Sequence, residues 1–156
     1  MLRHAVGAGA GAPEPTRYRL VVEAANDNPV FGPYSTATRT EWSFVSGEAE
    51  QQTLPLVQLD YDVDQDADGK ARRNAAVDIT PSVPGAPDRE VSSLGLEVSC
   101  DGGASWHRPK TSRHGGAWEA RLSAPASASF VSLRTAAKDD GGGTITQTLV
   151  RAYGLR

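Results

Sequence analysis

The chain is predicted to be all-β: an antiparallel β-sandwich of about seven strands, preceded by a partial β-hairpin. Three observations predict it. Apolar and polar residues alternate with period two in one run after another, and no segment has a convincing 3.6-residue period. Turn clusters punctuate the chain about every 8–15 residues from position 54 onward. The 156 residues include 16 Gly and 10 Pro and are 38% hydrophobic, which favours short strands and many turns over long helices. Together these are the pattern of an immunoglobulin-like or fibronectin-III-like sandwich.

The elements follow in order. Residues 1–16, rich in Ala, Gly and Pro, read as a lead-in. Residues 17–46 read as a hairpin. Tyr18–Ala24 is β-rich, Asn26-Asp27-Asn28-Pro29 is a turn cluster, and Pro29 and Pro33 forbid a helix. In 36–45, Thr38, Thr40, Trp42 and Phe44 point one way and Arg39, Glu41 and Ser43 the other. Two strands alone bury too little to be stable, so this hairpin needs a partner. It is expected either to lie along an edge of the sandwich or to stay poorly ordered. Residues 47–53 are polar and read as a linker.

The sandwich is placed at 54–156. Val57, Leu59, Tyr61 and Val63 form the core face of its first strand, and Gln58, Asp60 and Asp62 the wet face. Further strands are read at 75–83, 91–99, 117–122, 130–136 and 144–153, with a return strand opening at Trp106. Asp139-Asp140-Gly141-Gly142-Gly143 reads as a tight turn between the last two strands.

The bulk charge excludes some partners. The net charge is −3 and no basic stripe stands out, so nucleic acid is not an expected partner. No apolar stretch approaches the roughly 18 residues of a membrane span, and no export signal is legible in the first residues. Cys100 is the single cysteine, so no internal disulfide is expected.

Two motifs invite a chemical reading. Ser99, Asp101, Gly103, Ser105 and Trp106 fit the S-x-D-x-G-x-[TS]-W pattern of an Asp-box. Physically this is a self-satisfying turn: the carboxylate accepts from turn N–H groups, the glycines permit positive φ, and the indole packs beneath. In sialidases such boxes repeat around a propeller. A propeller needs repeats of about 40 residues, and this chain has one copy, so the turn is read as structural. Glycan contact through Trp106 or Trp118 is the alternative. Secondly, Asp64, Asp66 and Asp68 followed by Gly69 match the opening of a calcium loop, whose alternating carboxylates can surround one hard cation. The twelfth position, which should be Glu, is Ala75, and the flanks read as strands. The competing reading is a solvated acidic loop balanced by Lys70, Arg72 and Arg73. His4, His107 and His114 are too scattered for a zinc site.

The segments 54–64 (LPLVQLDYDVD), 96–106 (LEVSCDGGASW), 130–134 (FVSLR) and 146–155 (TQTLVRAYGL) together resemble the C-terminal region of actinobacterial secreted subtilisin-like (S8) serine peptidases. The resemblance implies a β-sandwich module that follows a catalytic domain, with 17–46 as the hairpin remnant of a preceding module. The D-[ST]-G, H-G-T-H and G-T-S-M-A motifs of those peptidases are missing from the sequence, so their catalytic residues have no positions here. The resemblance therefore implies a non-catalytic accessory module, extracellular, that stabilises, spaces or docks a parent or neighbouring peptidase domain. A calcium- or glycan-binding sandwich is the alternative.

Overall fold

The computed structural model describes residues 3–4, 14–28, 30, 32–47 and 53–156. Most of the 1–16 lead-in and of the 47–53 linker therefore lies outside the described residues. The described chain is an all-β sandwich. Its strands are β1 (Arg3–His4), β2 (Thr16–Ala25), β3 (Ala37–Ser46), β4 (Gln58–Val63), β5 (Lys70–Ala71), β6 (Ala76–Ser82), β7 (Val91–Ser99), β8 (Thr111–His114), β9 (Ala117–Arg121), β10 (Phe130–Asp139) and β11 (Thr144–Leu155).

They form two sheets. One has the order β1-β2-β3-β11-β10-β7, with β5 joined to the far end of β11; the other has the order β4-β6-β9-β8. All pairings are antiparallel except β5 with β11. The alternation that predicts the strands also sorts them between core and solvent. Val77, Ile79, Leu96, Val98, Ala120, Val131, Leu133 and Tyr153 are buried between the sheets in one cluster. Val57, Val83, Val91, Trp118, Ala137 and Ile145 form a second, with Trp42 packed against it.

β11 holds the fold together because it changes partner along its length. Its first half pairs with β3, from Thr144 opposite Ser43 to Val150 opposite Ala37. Its last residues instead pair with β5, Leu155 opposite Ala71. Between them lies a bulge: the register with β10 shifts between Val131 and Leu133, and Arg151 there has φ 53°. The Arg151 N–H donates to Ser132 Oγ at 3.0 Å, so the irregular backbone stays satisfied. The β2–β3 loop docks on the same bulge, with Ser35 N donating to Arg151 O at 2.8 Å.

The 17–46 segment, read from sequence as the remnant of another module, thus shares a sheet with residues 54–156. Gln147 Nε2 donates to Thr40 Oγ1 at 2.9 Å, and the Trp42 indole N–H donates to Val57 O at 2.7 Å. One strand expectation is corrected. Trp106 opens no strand: after the Asp101 turn the chain makes one isolated bridge, Val98 with His107, and regular pairing resumes only at Thr111. Pro109 has no N–H to donate to a ladder there.

Candidate functional site

The Asp-box residues come together as the sequence suggests. Ser99 Oγ donates to Asp101 Oδ1 at 2.7 Å and accepts from Gly103 N at 2.8 Å. Asp101 Oδ1 also accepts from Ser105 N at 2.9 Å, and Asp101 Oδ2 accepts from the Ser105 hydroxyl. Gly102 and Gly103 take φ of 74° and 94°, which residues with a Cβ adopt at a cost. These bonds, the Ser105 hydroxyl first, then the Ser105 N–H and the Ser99 hydroxyl, hold the Asp101 carboxyl far below the usual carboxylate range. The carboxylate is thus committed to its own turn.

Trp106 does not enter the core. It lies half-buried on the outer face of the larger sheet, with the Arg134 guanidinium 4.0 Å from its ring centroid. Arg134 reaches Glu97 at 3.5 Å, and Glu97 reaches Arg108 at 3.3 Å. This group borders a shallow trough of about 330 Å³ floored by Gly95, Ala136 and Thr146. One ring face of Trp106 is thus covered by its own chain. Trp118, the other aromatic considered for glycan contact, is buried at 6% exposure and has Arg113 stacked on it at 4.6 Å.

A second charge cluster lies on the same sheet at the hairpin. Arg19 holds Glu41 with two bonds, 2.6 and 2.9 Å, and Arg39 bridges Glu41 at 2.9 Å and Glu23 at 3.1 Å. The bond from Arg19, with Arg39 adding to it, lowers the Glu41 carboxyl to about 2 from an ordinary 4.5. A carboxyl whose folded pKa is depressed adds stability above its unfolded pKa and loses it as pH falls through the folded value. Glu41 and Asp101 therefore both withdraw stability in acid, Glu41 between about pH 4.5 and 2. The melting temperature is expected to fall across that window. In Glu41→Gln the fall is shallower and the neutral-pH melting temperature lower. Melts recorded at stepped pH check this, and parallel wild-type and variant curves would contradict it.

The acidic loop is arranged differently from a calcium loop. Asp66 Oδ1 accepts from the N–H groups of Asp68 (3.0 Å) and Lys70 (2.9 Å), and its Oδ2 faces Arg156 Nε at 3.3 Å. The Lys70 N–H, then that of Asp68, and the Arg156 and Lys70 charges lower its pKa. Asp64 instead lines a groove of about 500 Å³ with Asp62, Asp78, Arg72 and Arg121. The Asp68 carbonyl accepts from the Tyr34 hydroxyl at 2.7 Å. Among the described residues, no three His, Cys, Asp or Glu side chains are grouped to hold a metal ion. Spacing along the sequence placed Asp64, Asp66 and Asp68 on one loop, but the turn uses Asp66 as its cap and does not gather the three.

Sequence reasoning missed Tyr34, Arg134 and Arg156. Each acts on a residue of a distant strand or loop, and nothing in the local sequence marks them. Among the described residues, no helix is long and apolar enough to cross a membrane. No protein-family model, curated protein or solved structure matches this chain.

Proposed function

We propose that this chain is a non-catalytic accessory β-sandwich that works outside the cell beside a subtilisin-like peptidase domain, stabilising it or holding it at a fixed distance. The observation that carries this reading is the pairing of β3 with β11 from Thr144 to Val150. The N-terminal hairpin extends the larger sheet beyond β11, and the Trp42 indole N–H ties it to the carbonyl of Val57, just ahead of β4. A domain joined ahead of such a hairpin would be mounted on a rigid body and not on a loose tether. The segments that resemble the C-terminal regions of those peptidases supply β4, β7, β10 and β11, the strands that build this body. The charged clusters described above are bound to their own chain, Asp101 by its turn and Glu41 by two arginines, which suits a structural role.

The test asks whether a peptidase bearing the three catalytic motifs is encoded beside this chain, and follows its thermal inactivation with and without the purified chain; the lack of such a neighbour overturns the proposal. Slower inactivation in its presence supports the proposal. An unchanged half-life, or casein hydrolysis by the chain alone, overturns it.

A further inference from the structure

The two sheets of the sandwich turn opposite charge to solvent. On the outer face of the larger sheet, the strand registers set Arg19, Ser43, Thr144, Lys138 and Ser93 in one row across β2, β3, β11, β10 and β7. A second row runs through Glu23, Arg39, Thr148, Arg134 and Glu97. The charges on this face do not balance. Arg19 and Arg39 are matched by Glu41 and Glu23, but Arg108 and Arg134 share Glu97 alone. Lys138 has no carboxylate partner among the described residues, and Arg17 reaches only Ser43 Oγ at 2.9 Å and Gly142 O at 3.5 Å. Six cations thus stand against three carboxylates, an excess of three positive charges on a chain whose net charge is −3. The smaller sheet is the reverse. Asp62, Asp78 and Glu119 stand directly opposite one another on β4, β6 and β9, and Asp60 shares their face. Like charges in directly opposed positions destabilise a sheet. Of these four, only Glu119 has a cation among the described residues, Arg121 at 3.4 Å. Asp64 and Arg72, which line the groove beside them, offset each other in charge. This face therefore carries an excess of three negative charges.

We propose that the occupant of the basic face is the acidic face of a second copy of the chain. The two outer faces lie on opposite sides of the sandwich, whose sheets pack about 10 Å apart, so one molecule cannot bring them together. A neighbouring copy can. Asp60, Asp62 and Asp78 have no ion-pair partner among the described residues of their own chain. Docked on the larger sheet, they supply the carboxylates that Lys138, Arg17 and the Arg108–Arg134 pair lack. Between the charged rows of that sheet, Gly95, Ala136 and Thr146 leave a trough instead of projecting side chains, so another surface can approach closely. Docking also relieves the repulsion between Asp62 and Asp78, a gain that only the assembled state has. The contact is heterologous, because it joins two different faces. Each added copy presents a fresh face of the same sign, so association runs past the dimer unless the rotation closes a ring. Four strands about 4.8 Å apart make the acidic face only about 14 Å across, so the contact is small, held mainly by charge, and sensitive to salt.

The proposal goes beyond the accessory role, and the two fail separately: a monomer can still protect a peptidase. Light scattering over a concentration series of the full chain tests it at two salt levels. In about 10 mM salt, where charges act over roughly 30 Å, the mean molar mass should climb past that of a dimer; in about 1 M, where they act over roughly 3 Å, it should return to the monomer. Two double variants then separate the faces. Lys138→Glu with Arg17→Glu spoils the basic face, and Asp60→Lys with Asp62→Lys spoils the acidic one; all four side chains are exposed. Each double variant alone should stay monomeric. An equimolar mixture should stop at the dimer, because it offers one intact face of each sign. Should the Arg17 change disturb folding, Lys138→Glu alone should still weaken the association. Asp62→Lys should in addition melt higher than the wild type, since it turns a like pair with Asp78 into an opposite one. A monomer at every concentration in low salt, association indifferent to salt or to both double variants, or a mixture that does not dimerise overturns the proposal. So does a chain that stays monomeric while its basic face takes up polyglutamate, which would make the occupant a different acidic partner.

Discussion

Gly85→Ala is expected to lower stability by about 3 kcal/mol, the upper end of the range for overpacking, and the melting temperature by on the order of 10 °C. Gly85 lies in the turn after β6, where Ala86 N donates to Val83 O at 2.9 Å. Its φ is not positive, so the turn itself does not demand glycine. The demand comes from a neighbouring segment. A Cβ at position 85 would stand 2.2 Å from Leu54 O, 2.7 Å from Leu54 C and 2.9 Å from Thr53 O. These are backbone atoms and cannot swing aside as a side-chain tip can.

Relief would require moving the extended segment that leads through Leu54 to Val57. That residue is 1% exposed, and its carbonyl accepts from the Trp42 indole at 2.7 Å. The strain would therefore reach both the second core cluster and the docking of the N-terminal hairpin. Gly95→Ala is the control, since a Cβ there meets nothing within 4 Å and the φ is ordinary. It is expected to change stability by less than about 1 kcal/mol in either direction. Urea midpoints and thermal melts of the two variants check this. Equal effects at 85 and 95 would show that chain entropy, and not contact with Leu54, sets the cost.

The same contrast explains how much of the molecule the sequence made legible. Alternation sorted 36–45 into two faces and 57–63 into a core face and a wet one, because inside and outside are decided by a two-residue period. The Asp101 turn was legible because Ser99, Asp101, Gly103 and Ser105 satisfy one another within a few residues. The hairpin's place in the sheet was not. It depends on residues as far apart as Thr40 and Gln147, 107 positions along the chain, and no local pattern encodes which strand edge it meets. Trp106 was legible as a packing residue but not its direction, which Arg134 on β10 sets. In the acidic loop, whose spacing is that of a cation loop, the contacts of Asp66 with Lys70 N–H and Arg156 were not legible, because Arg156 lies 90 positions away.

The second large effect is expected at the other glycine turn. Asp139→Ala should cost about 3 kcal/mol, the low end for breaking a buried ion pair. The Asp139 side chain is 0% exposed and lies 3.6 Å from Arg89 Nη1. Its Oδ1 accepts from Gly143 N at 2.7 Å, and its backbone N–H donates to Gly143 O at 2.9 Å. The glycines at 141 and 143 leave room for this pair: a Cβ on Gly141 would meet Arg89 at 2.5 Å, and one on Gly143 would meet Asp139 Oδ2 at 2.6 Å. What reads in sequence as a tight Asp-Asp-Gly-Gly-Gly turn is also a mould around a buried charge. Removing the carboxylate leaves the Gly143 N–H without its partner and Arg89 without its counter-charge. Arg89 keeps 31% of its side-chain exposure, so water offsets part of the loss. Arg89→Met should cost at least as much, because it leaves the fully buried carboxylate unpaired. A double-mutant cycle measures the pair itself. The combined variant, with neither charge, is expected to be more stable than the sum of the single losses by more than about 1 kcal/mol. Strict additivity would show that the 3.6 Å approach carries no coupling, and that Asp139 acts only by capping Gly143.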